Sequence, residues 1–185
     1  MTKKKHATVA LADGALRVVV VADTHGAPHP RAAELIAREK PDLILHAGDV
    51  GALTVIDGLA KLAPTLGVRG NIDVHASELP DAITLDLVDG NETLLTLLLL
   101  HIAVNGPKLR PDAARLARGE GARLVICGHS HVPFIGHDRD LAVFNPGSIG
   151  PRRFQLPIVY GVLDLSEGRI SMRHVDCETG KPWLP

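Results

Sequence analysis

Aromatic side chains and an excess of charge of one sign are both scarce in this chain. Phe, Tyr and Trp together make up 3% of the sequence, which leaves few platforms on which the bases of single-stranded nucleic acid could stack. The formal net charge is -1, so no strong field recruits nucleic acid or an anionic membrane surface. The run Lys3-Lys4-Lys5 is interpreted as a solvated tail. We therefore expect neither a nucleic-acid nor a membrane partner.

Cysteines and long apolar runs are also few. The two cysteines, Cys127 and Cys177, cannot build a disulfide framework and are interpreted as reduced thiols of a cytoplasmic protein. The most apolar stretch, residues 94–100, is too short to span a bilayer. The N-terminal segment has neither an uninterrupted apolar core nor a small-residue cleavage site, so we expect no signal peptide.

The composition is that of a globular domain. Hydrophobic residues make up 45% and charged residues 22% of the 185 residues, and no linker or internal repeat divides them. We predict a single domain over 1–185, with 1–15 as a ragged N-terminal extension. Three apolar runs predict buried strands, and two stretches between them have helical spacing. The strands are expected at 17–22, 42–46 and 64–69, and the helices at 30–40 and 52–62.

This β-α-β-α-β alternation favours parallel strands joined by right-handed crossovers. The second half of the chain is richer in strands. Residues 83–88 and 93–100 flank Asp89-Gly90-Asn91, which is typical of a β-hairpin. One more helix and four more strands are predicted, at 111–118 and at 123–127, 141–144, 158–165 and 170–175. Together these elements predict an α/β fold of two packed sheets with helices outside.

Side chains that commonly bind metals follow the predicted strands directly. Because the carboxyl ends of parallel strands meet at one edge of a sheet, we expect these side chains to converge there. A glycine adjoins several of them, at Gly26, Gly48, Gly70 and Gly128, where the chain turns or approaches a ligand closely. The set comprises Asp23, His25, Asp49, Asn71, His101, His129 and His131.

The chemistry of this set indicates a transition-metal site. Two carboxylates, one amide oxygen and four imidazoles suit Mn, Fe, Zn, Co or Ni better than Mg or Ca. The seven side chains are too many for one ion with an open position, and they suit two ions that share a bridging carboxylate. Taken singly the pieces are weak, since His101 alone is typical of a core histidine and Gly70-Asn71 of a turn. The combination, with Gly128-His129-Ser130-His131 as its strongest part, makes accident improbable.

The same residues give the chain a resemblance to a known family. From about residue 18 to 175 it resembles the calcineurin-like metallophosphoesterase superfamily, in particular its small bacterial and archaeal phosphodiesterases. The resemblance rests on Asp23-Thr24-His25, Gly48-Asp49, Gly70-Asn71-Ile72-Asp73, His101, Gly128-His129-Ser130-His131 and Asn145-Pro146-Gly147-Ser148. It implies a four-layer α/β/β/α sandwich, and small relatives often form dimers or tetramers.

The resemblance also implies roles for these residues. Asp23, His25 and His131 would hold a first metal, and Asn71, His101 and His129 a second, with Asp49 bridging the two. Manganese is the ion expected first, with Ni, Fe, Zn or Co as alternatives. Asp49, Asn71 and His101 would serve catalysis, in which a metal-bridged hydroxide attacks a small phosphodiester. Residues 145–148 would form a turn that supports the site, the alternative being an ordinary Pro-Gly turn.

Two positions depart from the family pattern. Ile72 stands where relatives often have a histidine near the leaving group, and Ile102-Ala103 follows His101 where they usually have Gly-His. The first departure predicts that aryl phosphodiesters are cleaved faster than alkyl phosphomonoesters. A phosphomonoesterase, a nuclease and a non-catalytic protein-binding scaffold of the same fold remain as alternatives.

Four further residues lie in or near these motifs. Asp73 could orient Asn71 or a histidine, or cap a helix. His46 is expected to be a core histidine. Arg152 and Arg153 could reach a substrate phosphate, although a surface role is the default for both.

Overall fold

Two six-stranded sheets lie face to face, with helices on the two outer faces, in a computed structural model that describes residues 3–184. The described helices are α1 Ala32–Glu39, α2 Leu53–Ala60 and α3 Pro111–Gly119. The strands are β1 Lys4–Ala10, β2 Ala15–Val21, β3 Leu43–His46, β4 Thr65–Gly67, β5 Ala82–Asp89, β6 Glu92–Leu100, β7 Val104–Asn105, β8 Lys108–Leu109, β9 Leu124–Ile126, β10 Phe134–Asp138, β11 Leu141–Asn145, β12 Val159–Ser166, β13 Arg169–Asp176 and β14 Pro182–Trp183. The predicted α/β class and sandwich are confirmed.

One sheet contains the strands of the alternating first half. Its order is β14-β13-β12-β2-β3-β4, and β2, β3 and β4 pair in parallel as predicted. Strand β2 is buried on both faces: Val18 and Val20 belong to the core between the sheets, whereas Val19 and Val21 pack under α1 and α2. Burial on both faces explains why this strand is an unbroken apolar run.

The other sheet has the order β1-β5-β6-β9-β11-β10. Strands β5 and β6 form the predicted antiparallel hairpin around Gly90. Helix α3 covers the outer face through Ala113 and Ala117, which pack with Leu98 of β6. The inner faces of the two sheets share a single apolar cluster, which fixes their strand ends side by side.

The prediction of a ragged start is wrong for the part of 1–15 that the structure describes. Residues Lys4–Ala10 form β1, which pairs in parallel with β5 at the sheet edge. The lysines are therefore not a free tail, since Lys4 Nζ lies 2.6 Å from Glu120 Oε1. Charged side chains are common on edge strands, where they discourage pairing with other chains. Within residues 3–184, no helix is long and apolar enough to cross a membrane.

Candidate metal centre

All seven predicted side chains lie together at one edge of the sandwich, in loops that follow β2, β3, β4, β6 and β9. The loops after β2 and β3 run side by side, since Asp23 N–H donates to Gly48 O and His25 N–H to Asp49 O. The loop after β9 joins that of β6 because Gly128 N–H donates to His101 O at 3.0 Å. The convergence predicted from parallel strand ends is therefore present.

Asp23, His25 and His131 form the first group of possible metal ligands, and their ligand atoms lie within 4.8 Å of one another. His131 Nε2 lies 3.3 Å from His25 Nε2 and 3.4 Å from Asp23 Oδ1. Asp23 and His131 are buried, whereas His25 is half-buried. Three electron-pair donors thus point at one small volume, which is the arrangement that a cation requires.

Asp49, His101 and His129 form the second group, which also lies within 4.8 Å. Asn71 belongs with them, because its Oδ1 lies 3.1 Å from His101 Nε2 and 3.0 Å from His129 Nδ1. A carboxylate, an amide oxygen and two imidazoles form a mixed oxygen and nitrogen set of the kind that Mn, Fe, Co, Ni and Zn accept.

Asp49 faces both groups. Its Oδ1 lies 3.2 Å from His101 Nε2 of the second group, and its Oδ2 lies 3.9 Å from His25 Nε2 of the first. The Ile72 N–H donates to Oδ1 at 3.1 Å, which holds the carboxylate in this orientation. One carboxylate is therefore in position to serve two cations at once.

Without a metal, burial favours the neutral forms of Asp23 and His131, whereas Asp49 stays ionised. Burial raises the pKa of Asp23 to about 7, against the lowering effect of His101. Burial is the largest single effect on Asp49 and would raise its pKa, but the hydrogen bond and charge of His101, the Ile72 N–H and the charge of His25 together outweigh it, and the pKa falls to about 2. Burial lowers the pKa of His131 to about 4, so this imidazole is neutral at pH 7 and keeps a lone pair for a metal.

His101 is held in one orientation. Its Nδ1–H donates to Ala47 O at 2.8 Å, so Nε2 faces Asp49 and Asn71 and would offer its lone pair to a metal once it loses its proton. The ring fits because residue 48 is glycine: a Cβ there would lie 2.6 Å from His101 Nδ1. Gly48 also has a φ of +91°, a conformation that other residues rarely adopt.

Most of the possible ligands have strained backbones. Five of them are in the left-handed region, with φ between 48° and 69°: Asp23, His25, Asp49, His129 and His131. Such residues persist only where the surrounding structure imposes the conformation, and they cluster at functional sites. The hydrogen bonds between neighbouring loops supply that constraint here.

Asp73 organises the backbone around Asp49, a role the sequence analysis did not foresee. Its buried carboxylate accepts N–H bonds from Val50 at 3.0 Å, Gly51 at 2.8 Å and Gly70 at 2.7 Å. It therefore ties the loop after β3 to the loop after β4, rather than orienting Asn71 or a histidine directly. A carboxylate two residues after the Gly-Asn pair was the available signal, but its partners are backbone groups.

His46 is a buried core histidine, as expected, yet it also supports the site. Its Nε2–H donates to Thr24 Oγ1 at 2.9 Å, and its Nδ1 accepts the Gly48 N–H at 3.2 Å. The Thr24 hydroxyl in turn donates to Val50 O. Burial lowers the pKa of His46 to about 4, which keeps the ring neutral and this pattern of hydrogen bonds intact.

The turn at residues 145–148 contacts the loops after β2 and β9. Ser148 Oγ donates to Asp23 O at 3.0 Å, and Asn145 Nδ2 donates to Gly128 O at 2.9 Å. His174 of β13 donates from Nε2 to Asn145 O. These bonds attach the turn to the loops that carry the candidate ligands, which matches a supporting part and not a ligand.

The two arginines after this turn have different environments. Arg152 contacts Glu178 Oε2 and Leu156 O, so it fastens the loop to the body of the protein. Arg153 instead lies at the site, with Nη2 at 3.5 Å from His25 Nε2. Its charge contributes to the lowered pKa values of His25 and His131, after burial. Among residues 3–184, no carboxylate lies within 4.0 Å of its guanidinium.

The side chains present fit metal ions. Asp23 Oδ1 and His131 Nδ1 are buried and have no hydrogen-bond partner among the described residues. A buried carboxylate oxygen without a partner is costly, and a cation held between Asp23, His25 and His131 would satisfy it. The donor set contains no cysteine, which argues against a closed structural zinc site.

Comparisons with known proteins agree with this chemistry. The family model of the calcineurin-like phosphoesterase superfamily domain matches residues 16–168 of this chain. The chain is 34% identical over 149 residues to a probable metallophosphoesterase of Methanocaldococcus jannaschii, covering 77% of this chain and 73% of that protein.

Two solved structures share the fold. Vacuolar protein sorting 29 of Cryptosporidium parvum has a TM-score of 0.74 at 18% identity, covering 94% of this chain and 97% of that one. A protein described as a novel archaeal phosphodiesterase has a TM-score of 0.64 at 21% identity, covering 86% of this chain and 100% of that one. At these identities the likeness concerns the fold alone.

Proposed function

Because the chain belongs to the calcineurin-like phosphoesterase superfamily, we propose that it is a dinuclear metal-dependent phosphodiesterase acting on small substrates. The observation that carries this proposal is the position of Asp49, whose two carboxylate oxygens face two separate groups of possible ligands. The test is a screen in which metal-stripped protein is reloaded with Mn, Ni, Co, Fe or Zn and assayed on bis(p-nitrophenyl) phosphate. Activity that depends on the added metal supports the proposal, whereas its absence with every metal contradicts it.

The residues of each group would hold one ion. We assign Asp23, His25 and His131 to the first ion, Asn71, His101 and His129 to the second, and Asp49 to both. When bound, two such ions provide an activated water at neutral pH and neutralise negative charge on the phosphate. We propose manganese as the first ion to test, because the ligand set combines carboxylate and amide oxygens with imidazoles and contains no thiolate.

The chain itself contributes orientation and charge. Ala47 O fixes the orientation of the His101 ring, and Ile72 N–H fixes the rotation of the Asp49 carboxylate. The hydrogen bonds of Asp73 hold the two loops in register, so the ligands do not have to be ordered when substrate binds. Such preorganisation lowers the reorganisation cost of the reaction.

We assign Arg153 to the substrate phosphate. Its guanidinium lies 3.5 Å from His25 Nε2, so an anion bound at the first group is within its reach. Arginine offers several N–H donors in a fixed plane that matches phosphate oxygens. Arg152, bound to Glu178 and Leu156, holds the loop that presents it.

Replacing Arg153 with glutamine is expected to lower kcat/KM for a diester by about tenfold, the value of one partly solvated charge-assisted hydrogen bond. The affinity for inorganic phosphate, measured by calorimetry on the metal-loaded protein, should fall by about the same factor. The control is Arg115→Gln, which removes the same charge from the exposed face of α3. Equal phosphate affinities in the Arg153 variant and the parent would contradict this role.

Ile72 bears on the choice of leaving group. Its side chain is 42% exposed beside Asp49 and carries no ionisable proton. A leaving group whose conjugate acid has a low pKa departs without protonation, whereas an alkoxide benefits from a general acid. We therefore expect bis(p-nitrophenyl) phosphate to be cleaved faster than an alkyl phosphomonoester such as glycerol 2-phosphate.

An Ile72→His variant should lower the ratio of kcat/KM for the diester to kcat/KM for the monoester by about tenfold, because a histidine at this position can donate a proton. The matched control is Val74→His, since Val74 is 67% exposed only two residues away. The measurement is the ratio of kcat/KM for the two substrates. A parent protein that cleaves the monoester as fast as the diester would overturn the prediction.

A further inference from the structure

A cavity of about 640 Å³ opens directly beside His129 of the second ligand group. On one side it is bounded by the hairpin β7–β8 and the residues before it, including Ile102 and Val104. On the other side it is bounded by Val132 and Phe134, at the start of β10. Its volume falls within the range of about 300–1,000 Å³ that is usual for small-molecule sites.

The hairpin wall is fixed in place. Leu109 N–H donates to Asp138 Oδ2 of β10 at 2.8 Å, and Arg110 N–H donates to Ala103 O at 2.8 Å. Buried Asn145 lies at the inner end of the cavity, where its side chain is bonded to Gly128 O and Ser130 Oγ. The cavity is therefore built by anchored segments rather than left between loose loops.

Two features of the lining indicate what would fill it. Ile102 makes this wall apolar together with Val132 and Phe134. Ser130 Oγ accepts hydrogen bonds from Asn145 Nδ2 at 3.1 Å and from Val132 N at 3.2 Å. With both lone pairs engaged, its remaining capacity is to donate its proton. The cavity thus combines apolar walls with a donor, which suits the flat faces and polar edges of a heterocyclic ring.

We propose that this cavity binds the ester group that stays on the phosphate, and that this group is a ring system of nucleoside size. The inference rests on the proposed function, because it assumes that a phosphate is bound beside His129 and Asp49. A methyl ester would leave most of the cavity unfilled. The substrates are then diesters in which at least one substituent is a nucleoside.

The test keeps the leaving group constant and varies the retained ester. Methyl p-nitrophenyl phosphate and thymidine 5′-p-nitrophenyl phosphate both release p-nitrophenolate as water replaces it at phosphorus. The thymidine ester should have a kcat/KM at least about tenfold higher, the gain expected from burying a few apolar groups. A ratio near one overturns the proposal while leaving the phosphodiesterase function intact.

A variant pair locates the effect. Val132 is 46% exposed at the cavity mouth, so Val132→Trp places a large ring there without disturbing the core. It should reduce the ratio of kcat/KM for the thymidine ester to kcat/KM for the methyl ester by about fivefold or more, which is most of the gain attributed to the cavity. Val74→Trp makes the same change at an exposed valine outside the cavity and should leave the ratio unchanged. An unchanged ratio in the Val132 variant overturns the assignment to this cavity.

A binding measurement separates the cavity from catalysis. Calorimetry on the manganese-loaded protein should give at least about tenfold tighter binding of thymidine 5′-monophosphate than of methyl phosphate. If this preference is present but no diester is hydrolysed, the cavity assignment stands and the proposed function fails. If both phosphates bind equally, the cavity assignment fails whatever the activity.

Discussion

An Asp49→Ala variant is expected to lose at least about 10³-fold in kcat/KM for bis(p-nitrophenyl) phosphate, since loss of metal-ion stabilisation amounts to several kcal/mol. The reason is geometric. Asp49 Oδ1 lies 3.2 Å from His101 Nε2 and Oδ2 lies 3.9 Å from His25 Nε2, so one substitution removes a ligand from both groups. No other side chain among the seven approaches both groups with two oxygens.

The same variant should bind less metal, which elemental analysis after desalting measures directly. In the parent protein, metal at about 100 times its dissociation constant adds about 2.7 kcal/mol of stability, or a rise in Tm of about 5–10 °C for a chain of this size. The Asp49 variant should show little of that rise. The control is Asp57→Ala, which removes an exposed carboxylate from α2 and should behave like the parent.

Two outcomes would contradict either the catalytic function or the bridging role of Asp49. If the parent binds metal and is stabilised by it but hydrolyses no phosphate ester, the fold serves binding rather than catalysis, as the scaffold alternative holds. If the Asp49 variant retains full activity and metal content, the carboxylate does not bridge two ions.

The fold could be predicted where strands are buried on both faces. Strand β2 is one unbroken apolar run because it packs against α1 and α2 on one side and the other sheet on the opposite side. The strands that the sequence analysis missed include β1 and β10, the two edges of one sheet, and β14, an edge of the other. Edge strands are paired on one side only and carry polar residues, so neither an apolar run nor strict alternation marks them.

The site could be predicted as a set of residue types but not as a set of contacts. The positions of Asp23, Asp49 and Asn71 after successive strands suffice to bring them to one edge. The different roles of Arg152 and Arg153 could not be predicted, because Arg152 is bound by Glu178, 26 positions further along the chain, and Arg153 lies against His25, 128 positions before it. For the same reason the sequence left Asp73 between orienting Asn71 or a histidine and capping a helix, whereas its bonds join backbone N–H groups of two loops.

A Gly70→Ala variant is expected to damage the site severely, although it removes no ligand. A Cβ on Gly70 would lie 2.1 Å from Asp49 Oδ1 and 2.2 Å from Asp49 N. A backbone nitrogen cannot move aside as the end of a side chain can, so the loop after β3 must shift. That shift would also break the hydrogen bond from Gly70 N–H to Asp73 Oδ2, which joins the two loops.

The expected result is a fall of at least about 10²-fold in kcat/KM, the effect of misplacing reacting groups by about 1 Å. The free energy of unfolding should fall by about 1–3 kcal/mol, the usual cost of overpacking. The matched control is Gly58→Ala in α2, where a Cβ meets nothing within 4 Å. Alanine there should stabilise the protein by about 0.5–1 kcal/mol, because it favours the helix.

Urea denaturation of the metal-free proteins and activity of the reloaded proteins distinguish these effects. If the Gly58 variant also loses activity, an added methyl group is harmful even where it meets no neighbour. The loss in the Gly70 variant could then not be attributed to the close contact with Asp49. Full activity of the Gly70 variant would mean that the loop after β4 does not press against Asp49. Because the two substitutions are chemically identical, the difference between them measures the steric contact that fixes the carboxylate shared by both ligand groups.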